Sequence, residues 1–167
     1  MIVVSETTPL NYLVLIEAID VLPKLFQEVY VPPSVIVELT RLKTPDAVRH
    51  WAEEPPIWLK IRAPHSRLPS TAKLGDGEAD AISLAKQIQI QDVLIDERRG
   101  RIVAQREGLI PLPTLAVLER AASLDLVDLP AVMAALQRTS FRLPHDHINA
   151  ALARDAERKR GKQGQTR

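Results

Sequence analysis

The sequence predicts an α/β protein with a mainly parallel central sheet, helices on both faces of the sheet, and a helical C-terminal portion. Short runs of apolar and β-branched residues alternate with segments in which apolar residues recur at helical spacing. Residues that include proline or glycine mark the boundaries between these strands and helices, at Thr7-Thr8-Pro9, Pro32-Pro33 and Gly75-Asp76-Gly77. Strands that alternate with helices are typical of a parallel sheet with helical crossovers.

The first part of the chain contains two pairs of a strand and a helix. Residues 1–4 predict a strand, and Pro9 then stands in the first turn of a helix, a position that suits proline. A second short helix is predicted over residues 21–26. Residues 29–31 predict another strand, and the helix that follows it carries Glu38.

Residues 45–69 have a weak pattern and several prolines. We expect a short helix over residues 47–52 and a strand over residues 57–61. Proline is tolerated at the edge of a sheet and not in its middle, so this strand is predicted to be an edge strand.

The last part of the chain contains two further strands and then only helices. A helix follows Gly77, residues 93–95 predict a strand, the next helix ends at Gly108, and residues 109–110 predict the last strand. Residues 113–158 are predicted to be helical and to complete a single domain over residues 1–158. We expect the basic residues 159–167 to form a flexible tail.

The composition is typical of a folded protein and not of a membrane or disordered one. Of the 167 residues, 46% are hydrophobic and 26% are charged. No apolar run is long enough to cross a bilayer, and the N-terminus lacks the features of a signal peptide. The chain has no cysteine, which excludes disulfides, thiolate metal ligands and cysteine nucleophiles. We expect a cytoplasmic protein without membrane association.

Four acidic residues are candidates for one shared site. Glu6 and Asp96 each come directly after an apolar strand. Groups just beyond the carboxyl ends of parallel strands lie in the crevice where ligands bind. Glu38 and Asp80 lie on helices beside apolar positions, so they border the buried faces of those helices. The predicted fold can therefore bring all four acids together.

Carboxylates in one crevice repel one another, and a bound cation relieves that repulsion. With oxygen ligands, Mg²⁺ or Mn²⁺ is the expected ion. Such ions activate water for attack on a phosphodiester, which is nuclease chemistry. On spacing alone the alternative stays open that these acids are solvated ion-pair partners or helix caps.

Other phosphate-handling sites fit the sequence less well. A phosphatase of the haloacid dehalogenase kind needs an Asp after the first strand and another two residues later, where this chain has Glu6 and Thr8. A receiver domain needs paired acids and a late lysine, which we do not find. Gly75-Asp76-Gly77 has neither the third glycine of a dinucleotide-binding loop nor the ending of a P-loop.

Four segments resemble the motifs of PIN-domain proteins, in the same order as in that family. The family motifs are SDTSPL, IPxxVxxEL, GEAEAIALA and LIDDRRAR. The similar segments here are residues 4–10, 31–39, 77–85 and 94–99. The resemblance implies a parallel sheet flanked by helices and spans about residues 3–106.

The resemblance also implies an activity and its partners. The expected activity is that of an endoribonuclease that depends on Mg²⁺ or Mn²⁺, and many bacterial and archaeal members are toxins of the VapC type. The expected partners are an RNA substrate, an antitoxin protein and a second copy of the chain in a homodimer. The implied catalytic and metal-binding acids are Glu6, Glu38, Asp80 and Asp96, with Glu97 as the alternative to Asp96.

Three other residues lie beside these acids. Thr8 takes the place of the family's hydroxyl residue, and we expect it to hold the first carboxylate or a metal-bound water. Arg98 and Arg99 are expected to bind RNA phosphates, with a solvated helix face as the alternative. Such local charges matter because the net charge is only +1.

The first acid departs from the family pattern, which has Asp where this chain has Glu6. The extra methylene moves the carboxylate outward by roughly 1.5 Å, and Mg²⁺ sites tolerate little displacement. We expect a shifted site, a preference for Mn²⁺, or loss of activity with the fold retained. The alternative function is a catalytically silent PIN-like module that binds nucleic acid or a partner protein.

Overall fold

The computed structural model describes residues 1–164 and contains a central sheet in which every strand pairing is parallel. The strands within these residues are β1 (Ile2–Ser5), β2 (Glu28–Val31), β3 (Leu59–Ile61), β4 (Asp92–Leu94) and β5 (Ile110–Leu112). They stand in the order β3-β2-β1-β4-β5. The predicted fold class is therefore confirmed, and β3 is an edge strand as expected.

Helices connect the strands and continue after the last one. Between β1 and β5 lie α1 (Thr7–Leu15), α2 (Leu22–Leu25), α3 (Pro33–Leu39), α4 (Asp46–Glu53), α5 (Asp76–Gln87) and α6 (Arg98–Arg106). After β5 come α7 (Thr114–Ser123), α8 (Leu129–Gln137) and α9 (His145–Gly164). Short 3₁₀ turns occupy Ile19–Val21 and Pro69–Thr71. Among residues 1–164, no helix has both the length and the apolar character that spanning a membrane requires.

The direction of the strand order changes at β1, which has β2 on one side and β4 on the other. In parallel sheets this change of direction opens a crevice beyond the carboxyl ends of the two central strands. Ser5 is in register with Leu94, so β1 and β4 end side by side. The backbone amide of Glu6 donates to the carbonyl of Leu94 at 3.1 Å, which extends the pairing by one residue.

The chain divides into two compact units, one of residues 1–114 and one that begins at Leu115. In the first unit, the apolar face of α5 packs on the central strands, with Val4, Ile82 and Val93 fully buried. In the second unit, α7, α8 and α9 bury their own apolar residues, including Leu118, Met133, Leu136 and Ile148. The assignment of residues 1–158 to a single domain stays a prediction.

The C-terminal helix is longer than expected, since α9 runs to Gly164 and does not end at residue 158. The flexible tail over residues 159–167 stays a prediction, although residues 159–164 are helical, and residues 165–167 lie outside the described part of the chain. Ion pairs explain the extension. Lys159 pairs with Asp155 at 2.9 Å, and Lys162 pairs with Asp125 at 2.7 Å.

Replacing Ile82 with alanine should destabilise the protein by about 2–5 kcal/mol, because the side chain is fully buried between α5 and the sheet. Urea denaturation measures this change. The matched control is Ile57→Ala, since Ile57 is 90% exposed and its truncation should change the free energy of unfolding by less than about 0.5 kcal/mol. Equal effects of the two substitutions would contradict the described packing.

Candidate active site

Glu6 lies at the junction of β1 and α1, where it is the N-terminal capping residue of the helix. One carboxylate oxygen, Oε2, accepts a hydrogen bond from the backbone amide of Thr8 at 3.0 Å. The other oxygen, Oε1, is buried and has no hydrogen-bond partner among the described residues. The residue is only 3% exposed. A buried carboxylate with a free oxygen is unfavourable unless it is protonated or binds a cation.

Burial raises the pKa of Glu6 to about 8. The amide of Thr8 opposes this shift, whereas the negative charges of Asp96 and Glu78 add to it. Without a bound cation, Glu6 is therefore largely protonated at neutral pH. Thr8 contacts the first carboxylate with its backbone amide, and the role expected of its hydroxyl group stays a prediction.

Glu78 is a further buried acid, and it was not among the acids predicted from the sequence. It lies in the first turn of α5, is 9% exposed, and has a buried Oε1 without a hydrogen-bond partner in the described chain. Burial raises its pKa to about 7. The charges of Glu97 and Glu38 raise this pKa further, while a hydrogen bond from the Gly75 backbone lowers it. Glu78 therefore interacts electrostatically with three other acids, which are Glu97, Glu38 and Glu6.

Asp80 was predicted to join the cluster, but the structure places its carboxylate in an ion pair. Its two oxygens accept from the guanidinium of Arg67 at 2.6 and 3.2 Å. Burial raises the pKa of Asp80, but hydrogen bonds from Arg67 and Ser34 outweigh it and leave the pKa below its usual value. Residues two apart on a helix point about 200° apart, so Glu78 and Asp80 cannot face the same crevice. Glu78 and Asp80 both belong to the third motif. Which of the two faces the crevice depends on how α5 is rotated about its axis, and the motif does not determine that rotation.

Glu38 is held from two sides on α3. Its Oε1 accepts from the backbone amide of Gly77 at 2.9 Å, and its Oε2 accepts from the hydroxyl of Thr7. The hydroxyl that orients an acid here therefore belongs to Thr7. A Cβ on Gly77 would lie 2.5 Å from Oε2 of Glu38 and 2.7 Å from the Thr7 hydroxyl oxygen. A side chain at Gly77 would therefore require the side chains of Glu38 and Thr7 to move.

Asp96 is the acid that follows β4 into the crevice. It accepts from the backbone amide of Thr114 at 2.8 Å and from the Thr114 hydroxyl at 2.7 Å. Burial raises its pKa, although the Thr114 hydrogen bonds and the charge of Arg101 act against the shift. Asp96 is thus held by Thr114, whereas Glu97 is exposed at the start of α6 and its charge acts on Glu78, so the choice between these two acids stays a prediction.

Arg98 and Arg99 begin α6, and both are exposed. The charge of Arg99 lowers the pKa of Glu78, so this residue lies close to the acids. Gly100 follows on the buried side of the helix, where a Cβ would lie 2.5 Å from Oε1 of Glu78 and 2.5 Å from Cδ1 of Ile95. The glycine allows α6 to pack directly against the Glu78 carboxylate.

The acids have the chemistry of a site for a hard divalent cation. Two buried carboxylate oxygens, on Glu6 and Glu78, have no partner within residues 1–164, and Mg²⁺ and Mn²⁺ bind such oxygens. In that same part of the chain, no group of three or more Asp, Glu or His side chains is arranged to hold a metal ion as it stands. The residues that would hold such an ion are the acids of the crevice, which include Glu6 and Glu78.

The fold and the site define a parallel α/β protein with an acidic crevice where the strand order changes direction. A family model described as a PIN domain matches residues 2–157. The chain belongs to the PIN-domain family, as the four motifs predicted. PIN domains are in general nucleases, which are hydrolases, and they typically use divalent metal ions. No curated protein and no solved structure matches the chain significantly.

The buried acids should make the metal-free protein less stable as pH rises. The folded-state pKa values of Glu6 and Glu78, about 8 and about 7, exceed the value of 4.5 expected after unfolding. Between these values the folded state binds more protons than the unfolded state, so the free energy of unfolding falls from about pH 5 to about pH 8. Urea denaturation at several pH values in EDTA measures this.

The variant Glu6→Gln isolates the contribution of one acid. Its amide oxygen can still accept from Thr8, but the side chain does not titrate. The variant should lose less stability than the wild-type protein over this pH range, by on the order of a few kcal/mol. Identical pH profiles would contradict the raised pKa of Glu6.

Proposed function

We propose that the chain is a metal-dependent endoribonuclease that cleaves phosphodiester bonds of RNA. The single observation that carries this proposal is the pair of buried, unpartnered carboxylate oxygens on Glu6 and Glu78 at the carboxyl edge of the sheet. Membership of a family of nucleases supports it.

Four acids would hold the metal, which we propose to be Mg²⁺ or Mn²⁺. They are Glu6, Glu38, Glu78 and Asp96, and Asp80 is left out of the proposed set because its carboxylate is paired with Arg67. When bound, such an ion supplies an activated water and stabilises negative charge at the phosphodiester. Thr7 and Gly77 orient Glu38, and Thr114 orients Asp96, so two of the acids are already positioned.

The biological role that we propose is that of a toxin in a toxin–antitoxin pair, acting on RNA in the cytoplasm. The resemblance to VapC-type proteins supports this role. An antitoxin protein would then restrain the enzyme, and a homodimer is the proposed assembly. Arg98 and Arg99 support RNA as the substrate, since both are exposed at the start of α6, where the charge of Arg99 acts on Glu78.

Cleavage of single-stranded RNA in Mn²⁺ should depend on Glu38 and Glu78 and not on Asp80. Glu38→Gln and Glu78→Gln should each lower the rate by about 100-fold or more, because each removes a charge that holds the ion. Asp80→Asn is the matched control and should retain most of the activity. Its carboxylate lies on the other side of α5, paired with Arg67.

Gel analysis of a labelled RNA measures these rates, with folding of each variant checked by circular dichroism. Equal cleavage by all the variants would mean that the activity is a contaminant and would end the proposal. Loss of activity in Asp80→Asn alone would assign the site to the acid predicted from the sequence.

A second function is favoured by two observations. The first acid is Glu6 where the family has Asp, and no three acids within residues 1–164 stand ready to hold a metal. Both fit a catalytically silent module that binds nucleic acid or a partner protein. Titration of the protein with Mn²⁺ by calorimetry separates the two functions, since the silent module has no need to bind the ion.

Shortening the first acid provides a separate test of the site. Glu6→Asp should raise the cleavage rate in Mg²⁺ more than in Mn²⁺, because it withdraws the carboxylate by roughly 1.5 Å and Mg²⁺ is the stricter ion. The ratio of the two rates is the measurement. A Glu6→Asp variant with an unchanged ratio would mean that the extra methylene does not limit the site.

A further inference from the structure

One face of α6 combines two cations with an apolar strip. Arg99, Ile102, Val103 and Arg106 follow one another at intervals of three, one and three residues, so they share a face of the helix. Arg99 and Arg106 are two turns apart, which corresponds to about 10 Å along the helix axis. The cations therefore stand at the two ends of the strip.

This face forms one wall of a groove of about 460 Å³. The opposite wall comes from the segment around the 3₁₀ turn at Pro69–Thr71 and supplies Lys73 and Leu74. Three cationic side chains thus line the groove, and its apolar side chains include Ile102, Val103 and Leu74. We call it the Lys73 groove.

The cations of the Lys73 groove are available to a ligand. Lys73, Arg99 and Arg106 are exposed, and none of them forms an ion pair within residues 1–164. Arg67 differs, since Asp76 and Asp80 already occupy its guanidinium. An open groove with three unpaired cations attracts anions.

The Lys73 groove begins beside the candidate active site. Arg99, which lines the groove, precedes Gly100, and a Cβ on Gly100 would lie 2.5 Å from Oε1 of Glu78. The groove then continues along α6 toward Arg106, away from the acids. A linear anion that reaches the crevice can therefore extend along it.

We propose that the Lys73 groove binds the phosphates of single-stranded RNA next to the bond that is cleaved. The proposal rests on the proposed nuclease function and names the path of its substrate. The two arginines are about 10 Å apart along the helix axis, so they can meet different phosphates of one strand. Because cations and aliphatic side chains line the groove, it recognises the backbone and not the base sequence.

The test is RNA binding without cleavage, measured by fluorescence anisotropy with a labelled single-stranded RNA in EDTA at several salt concentrations. The groove variant is Lys73→Gln combined with Arg106→Gln, which leaves Arg99 and the acids intact. The matched control is Lys24→Gln combined with Lys43→Gln. It removes the same charge from two exposed residues that lie outside the groove.

The groove variant should bind RNA roughly tenfold more weakly near 0.1 M salt, and the slope of log affinity against log salt should fall by about 1.4. The control should match the wild-type protein in both. If the groove variant kept the wild-type affinity and slope while the wild-type protein cleaved RNA, the groove would be excluded and the nuclease would stand. A wild-type protein that cleaves no RNA but shows groove-dependent RNA binding would support the groove and reject the nuclease.

A competing occupant is an acidic protein segment. A labelled poly-glutamate peptide is therefore tested in parallel. Binding of this peptide that the groove variant loses, with RNA binding unchanged, would overturn the proposal in favour of an acidic partner. Failure of the wild-type protein to bind RNA would overturn it as well.

Discussion

Glu6 and Glu78 place two carboxyl groups inside the protein, where burial raises the pKa of Glu6 and the charges of Asp96 and Glu78 add to this shift. Each group keeps one backbone hydrogen bond, from Thr8 or from Gly75, and leaves its other oxygen without a partner within residues 1–164. Burial of both charges is unfavourable, so the site favours a proton or a cation at this position. The arrangement of the surrounding strands and helices depends on accommodating this pair.

Two glycines allow the helices to approach the acids. Gly77 lets the start of α5 donate its amide to Glu38, and Gly100 lets α6 pack on Glu78. Within a helix, glycine is less favourable than alanine by about 1 kcal/mol. Gly100 lies inside α6 and carries this cost. The close approach of α6 to Glu78 outweighs the cost, because a Cβ at this position would overlap the Glu78 carboxylate. Gly77 of the third motif and Gly100 therefore both have a packing role at the site.

The fold could be predicted because its signals are local: β-branched runs, helical spacing, and prolines or glycines at the boundaries. The acids that follow strands, Glu6 and Asp96, could be predicted for the same reason, since a strand end determines their place. The choice between Glu78 and Asp80 could not, because it depends on the rotation of α5 about its axis. The extension of α9 was missed for a similar reason, as Lys159 and Lys162 also pair with Asp128 and Asp125, which only the folded chain brings near.

The net charge of +1 conceals a separation of charges that decides what the protein attracts. In the second unit, acids from the same unit pair with the cations Arg154, Arg158, Lys159 and Lys162. On α6 the arginines stay unpaired, directly beside acids whose negative charge is buried. Exposed positive charge next to buried negative charge attracts a polyanion and a cation to adjoining places. Under the proposed function, the exposed arginines would meet the phosphates of the RNA and the buried acids would hold the cation, so that both halves of this surface would serve one site.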